Sequence, residues 1–228
     1  MIRAVIFDVG GVLIRTEDRA PRRALERHLG LAPGEAEELV FGEPMGTRAQ
    51  LGEIPAATLW GWVQRKLALD ADGLAAFYEQ FYGGDRLDQD LVDLIRHLRP
   101  RYQTAIISNA MDDLRDVVTT LYPMADAFDL VVGSAYEGMM KPDARIFERT
   151  LSRLDVAPHE AVFVDDMLPN IEAARAFGMV GIHYQPGLDV GAELRLLGVQ
   201  LTEDDEVDDA DSTDEDRTDA DSTDQDRL

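Results

Sequence analysis

Five short apolar runs constrain this chain more than any other feature: RAVIF at 3–7, TAIIS at 104–108, LVVG at 130–133, AVFVD at 161–165 and VGIHY at 180–184. Each is continuous rather than alternating, the pattern of a strand covered by helices on both faces of a parallel sheet. Helical periodicity separates the later runs, at about 112–122, 143–154, 168–177 and 189–197, and Gly178 sits where the third of these would stop. This alternation predicts an α/β class: a doubly wound, Rossmann-like parallel sheet core.

The first crossover breaks the pattern. Nearly a hundred residues separate Asp8 from the second run, far more than one helix needs, and much of that stretch is helical in period, at 19–29, 33–41, 55–68 and 71–82. No strand-like run stands out within it. We expect an inserted α-helical cap at 16–88, a core formed by 1–15 and 89–200, and a return helix at 88–98. Trp60 and Trp62 fall on the 55–68 helix, where packing inside the insert is the simpler role and lining a substrate pocket the sharper one.

Composition narrows the function classes. With 45% hydrophobic residues the chain can bury a full core, and the absence of cysteine excludes disulfides and thiolate metal sites. The net charge of −23 is uneven: Glu203 to Leu228 holds fourteen acids against two arginines and repeats ADSTDEDR as ADSTDQDR. Ordering such a segment would lose chain entropy without burying apolar surface, so residues 201–228 read as a disordered acidic tail. A solubilising appendage is the plain reading, and a docking site for a basic partner or loose cation binding the alternative. The acidic balance opposes binding to nucleic acid or anionic membranes. No apolar run reaches the roughly 18–20 residues of a membrane span, and the first strand starts too early for a secretory leader, so a soluble cytoplasmic protein is expected.

Open α/β sheets bind ligands outside the carboxyl ends of their strands. Here those ends carry Asp8, Ser108 with Asn109, and Asp165 with Asp166, while the loop after the third strand carries Lys141. Each has an innocent explanation alone: Asp8 could close a turn, and Ser108 or Asp166 could cap a helix. Together, three acids, a hydroxyl and a lysine converge on one edge. Crowded carboxylates without histidine or cysteine suit a hard ion, Mg²⁺ in particular. The four histidines are scattered and are assigned no metal. A carboxylate and a phosphate 4 Å apart repel by about 4 kcal/mol at an effective dielectric of 20, so attack at phosphorus needs compensating cations. Mg²⁺ and Lys141 would supply them while Ser108 and backbone N–H groups hold phosphoryl oxygens, which fits phosphoryl transfer through an aspartyl-phosphate.

FDVGGVL, IISN, KPDARIF and VFVDDMLPNIEAA, in this order and spacing, resemble the haloacid dehalogenase-like (HAD) hydrolase superfamily over residues 1–198. The long first insert looks like the helical cap of the subgroup whose cap follows the first motif. The resemblance implies Asp8 as nucleophile, Ser108, Asn109 and Lys141 around the phosphate, and Mg²⁺ held by Asp8, Asp166, the backbone carbonyl of Gly10 and, through water, Asp165. Asn170 would steady the loop. The implied substrate is a small phosphorylated metabolite.

Gly10 departs from the family pattern, which usually has there a second aspartate that protonates the leaving group. General acid–base help is typically worth about 10²–10⁴-fold. Glycine at this position, with GEI at 52–54, resembles a bacterial subgroup that includes a glucose-1-phosphate phosphatase. Phosphomonoester hydrolysis is the favoured reading. A phosphate-binding protein with weak or no turnover is the alternative, followed by a 2-haloacid dehalogenase or a phosphomutase. Arg15, Thr16, Glu17 and Arg48 are the residues expected to face the mouth of the site.

Overall fold

In β1 (Ala4–Phe7) every side chain is buried, and alternate residues serve opposite faces of the sheet. Val5 and Phe7 join one apolar cluster with Val92, Ile95 and Ile106, while Ala4 and Ile6 join another with Ala105, Ile107 and Phe147. Burial on both faces is why the run is continuous. The structure is a computed structural model that describes residues 1–42 and 44–201; apart from Leu201, the expected acidic tail lies outside the described residues.

From β1 the chain runs through β2 (Ile14–Thr16) into α1 (Ala20–Leu29), α2 (Glu35–Phe41), α3 (Met45–Gln50), α4 (Ala56–Lys66) and α5 (Ala71–Tyr82). It returns through β3 (Asp85–Leu87) and α6 (Gln89–Leu98) to β4 (Gln103–Ser108). One helical turn, α7 (Leu114–Asp116), then passes into a π-helical turn at Val117–Leu121. The remainder alternates: β5 (Leu130–Gly133), α8 (Ser134–Glu137), α9 (Ala144–Leu154), β6 (Ala161–Asp165), α10 (Leu168–Phe177), β7 (Val180–His183) and α11 (Val190–Leu196).

The five long-range strands form one parallel sheet in the order β5-β4-β1-β6-β7. The chain winds outward from β1 to β5 and then crosses back to β6, so the crevice beside β1 is the switch point of a doubly wound sheet. Aspartates start the helices that cover it. Asp88 accepts the Leu91 N–H at 2.9 Å to cap α6, and Asp143 and Asp189 cap α9 and α11 in the same way. Gly178, at φ 102°, ends α10. Among the described residues no helix is long and apolar enough to cross a membrane.

Helices α1 to α5 supply a third cluster, including Leu25, Val40, Leu59, Val63, Phe77 and Phe81, which Met111 joins from the loop after β4. Trp60 packs here, its ring 5.2 Å from that of Tyr78 and 6.3 Å from that of Phe77.

Two expectations are corrected. The stretch between Asp8 and β4 does contain strands: β2 and β3 pair antiparallel, with Arg15 opposite Arg86. Each is three residues long and only partly buried, so no apolar alternation marks it. The ribbon forms because the outgoing and returning segments run side by side, and Asp88 N–H extends the pairing to the Leu13 carbonyl at 2.8 Å. The helix expected at 112–122 is not one regular α-helix. It widens after Asp116, where Tyr122 N–H reaches back five residues to the Val117 carbonyl at 2.8 Å.

Candidate active site

Register brings the acids together. Asp8 follows β1 and its N–H donates to the Val164 carbonyl at 2.9 Å, while Asp165 ends β6, the neighbouring strand. Ser108 ends β4, on the other side of β1. One carboxylate oxygen from each of Asp8, Asp165 and Asp166 lies within 4.8 Å of the others. Lys141 reaches into this cluster with a side chain 1% exposed: its Nζ is 2.8 Å from Asp8 Oδ1 and 2.7 Å from Asp165 Oδ2.

Asp165 is fully buried and its carboxylate is saturated. Oδ1 accepts the Met167 N–H at 2.7 Å, Oδ2 accepts the lysine ammonium, and the Asn170 amide donates to both oxygens at 3.0 Å. Asn170 lies near the start of α10, so that helix is fastened to the end of β6 through this carboxylate. Asn109 does the same for the lysine. Its Nδ2 donates to the Lys141 carbonyl at 3.0 Å and its Oδ1 accepts the Lys141 N–H at 2.8 Å. Both ends of the Asn109 amide therefore hold the lysine backbone in place.

The electrostatics are unbalanced. Burial drives the Asp8 carboxyl up to about 6; the Lys141 ammonium pulls it back down, and the Asp165 charge adds to the rise. Burial, then the charge of Asp165, also raises Asp166. Asp8 Oδ1 is already occupied by the Val9 N–H, at 2.7 Å, and by the ammonium. One lysine thus serves three crowded carboxyls, and an added divalent cation would relieve the repulsion. The donor set is all oxygen, which fits a hard ion of the Mg²⁺ type.

The loop after β1 explains the glycine pair. Gly10 is exposed, and a β-carbon there would meet nothing within 4 Å. Gly11 is the constrained one: its φ is +80°, and a β-carbon would fall 2.2 Å from Asp166 Oδ2. The sequence reading missed Gly11, although a Gly-Gly pair directly after a buried strand signals a tight turn. It also missed His183, whose Nε2–H donates to the Asp166 carbonyl at 2.9 Å.

A cavity of about 1040 Å³ opens above the acids. Asp8, Gly10, Ser108, Asn109, Lys141, Asp166 and Asn170 all line it, whereas Asp165 lies behind that surface. Arg15, Thr16 and Glu17 line it as expected. Arg48 does not; it is about half exposed and paired with Glu53 at 3.1 Å, because α3 directs it away from the crevice. Neither tryptophan reaches the cavity, and the helical insert instead presents Phe41, Tyr78 and Tyr82. No periodicity singles out these three as cavity-facing, since aromatic residues at helical spacing fit a core equally well.

Known proteins resemble this chain in sequence and in fold. The sequence model of the haloacid dehalogenase-like hydrolases matches residues 2–178. The sesquiterpene phosphatase astK of Aspergillus oryzae is 30% identical over 200 residues, covering 86% of this chain and 96% of that protein. Mouse acyl-CoA dehydrogenase family member 10 is 48% identical over 186 residues, or 78% of this chain, but the match spans only 17% of that longer protein. In fold, the chain is similar to a HAD-like family hydrolase from Porphyromonas gingivalis, with a TM-score of 0.74 at 24% identity over 88% of this chain and all of that one. It is also similar to a HAD family enzyme from Bacteroides thetaiotaomicron in complex with magnesium and inorganic phosphate, with a TM-score of 0.72 at 22% identity over 86% of this chain and 100% of that one.

Proposed function

The chain belongs to the haloacid dehalogenase-like hydrolase family, and we propose that it is a Mg²⁺-dependent phosphomonoester hydrolase working through an aspartyl-phosphate on Asp8. The observation that carries this reading is the trio of carboxylates within 4.8 Å of one another around a single buried lysine. Displacement at carbon, as in a dehalogenase, has no use for a divalent cation, whereas attack on an anionic phosphorus depends on one. The phosphatase relative from Aspergillus oryzae and the magnesium and phosphate bound by the Bacteroides enzyme support the same choice.

Asp8, Asp166 and the Gly10 carbonyl would hold the ion, with Asp165 behind them. When bound, it would supply positive charge against the phosphoryl oxygens. Asp8 Oδ1, anchored by Val9 N–H and Lys141, would also be the oxygen offered to the ion, which leaves Oδ2 to attack. The Oδ2–P bond forms as the ester P–O bond breaks, and the electron pair leaves with the ester oxygen. Lys141 and Ser108 offset and orient the phosphoryl charge. Gly10 offers no carboxyl, and its exposure lets the leaving oxygen take a proton from water. Water then attacks the phosphorus, the Oδ2–P bond breaks with its electron pair returning to Asp8, and the water's proton passes to solvent as inorganic phosphate leaves.

Purified protein should release phosphate from p-nitrophenyl phosphate with Mg²⁺, and EDTA or Asp8→Asn should abolish the release. Turnover undiminished in Asp8→Asn would overturn the nucleophile. Metal-independent halide release from 2-chloropropionate would replace the phosphatase reading with the dehalogenase one. The missing carboxyl at Gly10 favours one further alternative, phosphate-ester binding without turnover, which would appear as a thermal shift with no released phosphate.

A further inference from the structure

Eight large apolar side chains are exposed among the described residues, and four of them line the cavity above Asp8: Phe41 at 43%, Tyr78 at 38%, Leu121 at 55% and Met167 at 54%. Single exposed apolar residues need no explanation, but a convergent group beside a reaction centre does. They come from four separate segments. Phe41 ends α2, Tyr78 lies on α5, Leu121 ends the π-helical turn and Met167 precedes α10. The ring of Tyr82, 4.9 Å from that of Tyr78, and the side chain of Val117, four residues before Leu121, extend the same lining. A π-helical turn at such a place is a recurrent feature of functional sites.

Four polar lining groups away from the carboxylate cluster, Thr16, Gln50, Arg15 and Arg22, are already engaged. The Gln50 amide donates to the Phe41 carbonyl at 2.9 Å, and the Thr16 hydroxyl donates to Asp85 at 2.6 Å. Arg15 is bound to Asp88 and to the Tyr184 hydroxyl, and Arg22 to the Phe81 carbonyl, Glu37 and Asp85. Burial, then the charges of Asp112 and Asp116, raises the Asp113 carboxyl above its ordinary value. The hydroxyls of Tyr78, Tyr82 and Tyr122 and the carboxyl of Asp113 remain to meet a polar group, and a second phosphate would find Arg19, on the exposed surface, as the further cation. The volume, about 1040 Å³, is at the upper end for a small-molecule site.

Resting on the phosphatase reading, we propose that the alcohol released from phosphate is an extended apolar one, an alkyl or isoprenoid-like chain that lies along Phe41, Tyr78 and Leu121 while its phosphate meets Asp8 and Lys141. The test is the series ethyl, butyl, hexyl and octyl phosphate, each kept below its aggregation concentration. A fully buried methylene is worth about fourfold. For a chain only partly buried in the cavity, kcat/KM should rise at least about tenfold from ethyl to octyl. Leu121→Asn and Tyr78→Ser should each lower the octyl-to-ethyl ratio. A flat series in protein that hydrolyses p-nitrophenyl phosphate would overturn the proposal and leave the hydrolase reading standing, as would preference for a hexose phosphate. If no ester is hydrolysed, the hydrolase reading falls, and calorimetric titration decides the cavity: tighter binding of octyl than of ethyl phosphate sustains the assignment, equal affinity overturns it.

Discussion

Gly11 and Asp166 are packed so closely that a side chain at residue 11 would displace the Asp166 carboxylate: a β-carbon there would lie 2.2 Å from Asp166 Oδ2. The neighbouring Gly10 has open space instead, and its backbone is not left-handed. The two adjacent glycines should therefore respond in opposite ways. Gly11→Ala should cost about 1–2 kcal/mol of stability, since its φ is unfavourable for alanine, and should weaken Mg²⁺ binding by turning the Asp166 carboxylate aside. Gly10→Ala should be neutral or stabilising by up to about 1 kcal/mol. Urea midpoints and Mg²⁺ titrations of both variants check this; unchanged Mg²⁺ affinity in Gly11→Ala would refute the role given to the contact.

Lys141 is the counter-ion of two carboxylates that have almost no access to water, Asp8 at 7% exposure and Asp165 at 0%. Removing one partner of a buried ion pair leaves an uncompensated charge, at a cost of about 3–5 kcal/mol. Lys141→Met should lose about that much, measured by denaturant unfolding, and Lys141→Arg should not rescue it because the enclosed space suits a single ammonium. Adding Asp165→Asn to Lys141→Met should recover part of the loss. A double variant less stable than the single one would show that the charge is not the cause.

Glu137 offers a pH test away from the reaction centre. Burial pushes its carboxyl up, but hydrogen bonds from Arg153 and then Arg149 outweigh burial and hold it below the usual range. A carboxyl depressed in the folded state stabilises above its unfolded pKa of about 4.3, and that contribution disappears as pH falls through the folded value. Glu137→Gln should cost about 1 kcal/mol at pH 7, a figure discounted for the half-exposed arginines. Urea unfolding at neutral and acidic pH should show the gap between variant and wild type closing below about pH 4. A gap independent of pH would mean that shape, not charge, is responsible.

Ser134 joins the helical insert to the sheet. Its buried hydroxyl donates to the Gln50 carbonyl at 2.6 Å and accepts the Ala110 N–H at 2.9 Å. Ser134→Ala strands both backbone groups, which should cost about 1–3 kcal/mol. Amide hydrogen exchange should quicken at Ala110 and around Gln50. Protection unchanged at both places would show that the hydroxyl is dispensable.

Much of the architecture was legible because burial on both faces leaves a mark in the residues themselves. A strand such as AVFVD, covered above and below, cannot alternate. The polar residues that stop three of the runs, Asp8, Ser108 and Asp165, then fall at the ligand-binding edge without further assumption. Short or half-buried features leave no such mark. The β2–β3 ribbon, the π-helical turn after Asp116 and the direction taken by Arg48 depend on which segments happen to lie side by side. The Gly11 contact left a weak signal, a glycine pair after a strand, but its partner is 155 positions away in sequence.

The amino-acid sequence by itself determined the parallel sheet, the inserted helices and the acids and serine at the strand ends, because each follows from local periodicity and from where the buried runs stop; Lys141, in the loop after α8, follows from no strand end. Only the tertiary structure decided how those groups divide the work: Asn109 holds the lysine backbone, Asp165 is saturated, and Oδ1 of Asp8 is occupied. It also decided that Phe41, Tyr78 and Leu121 face one cavity. Contacts among residues so far apart in the chain are set by packing, and packing is a property of the folded whole.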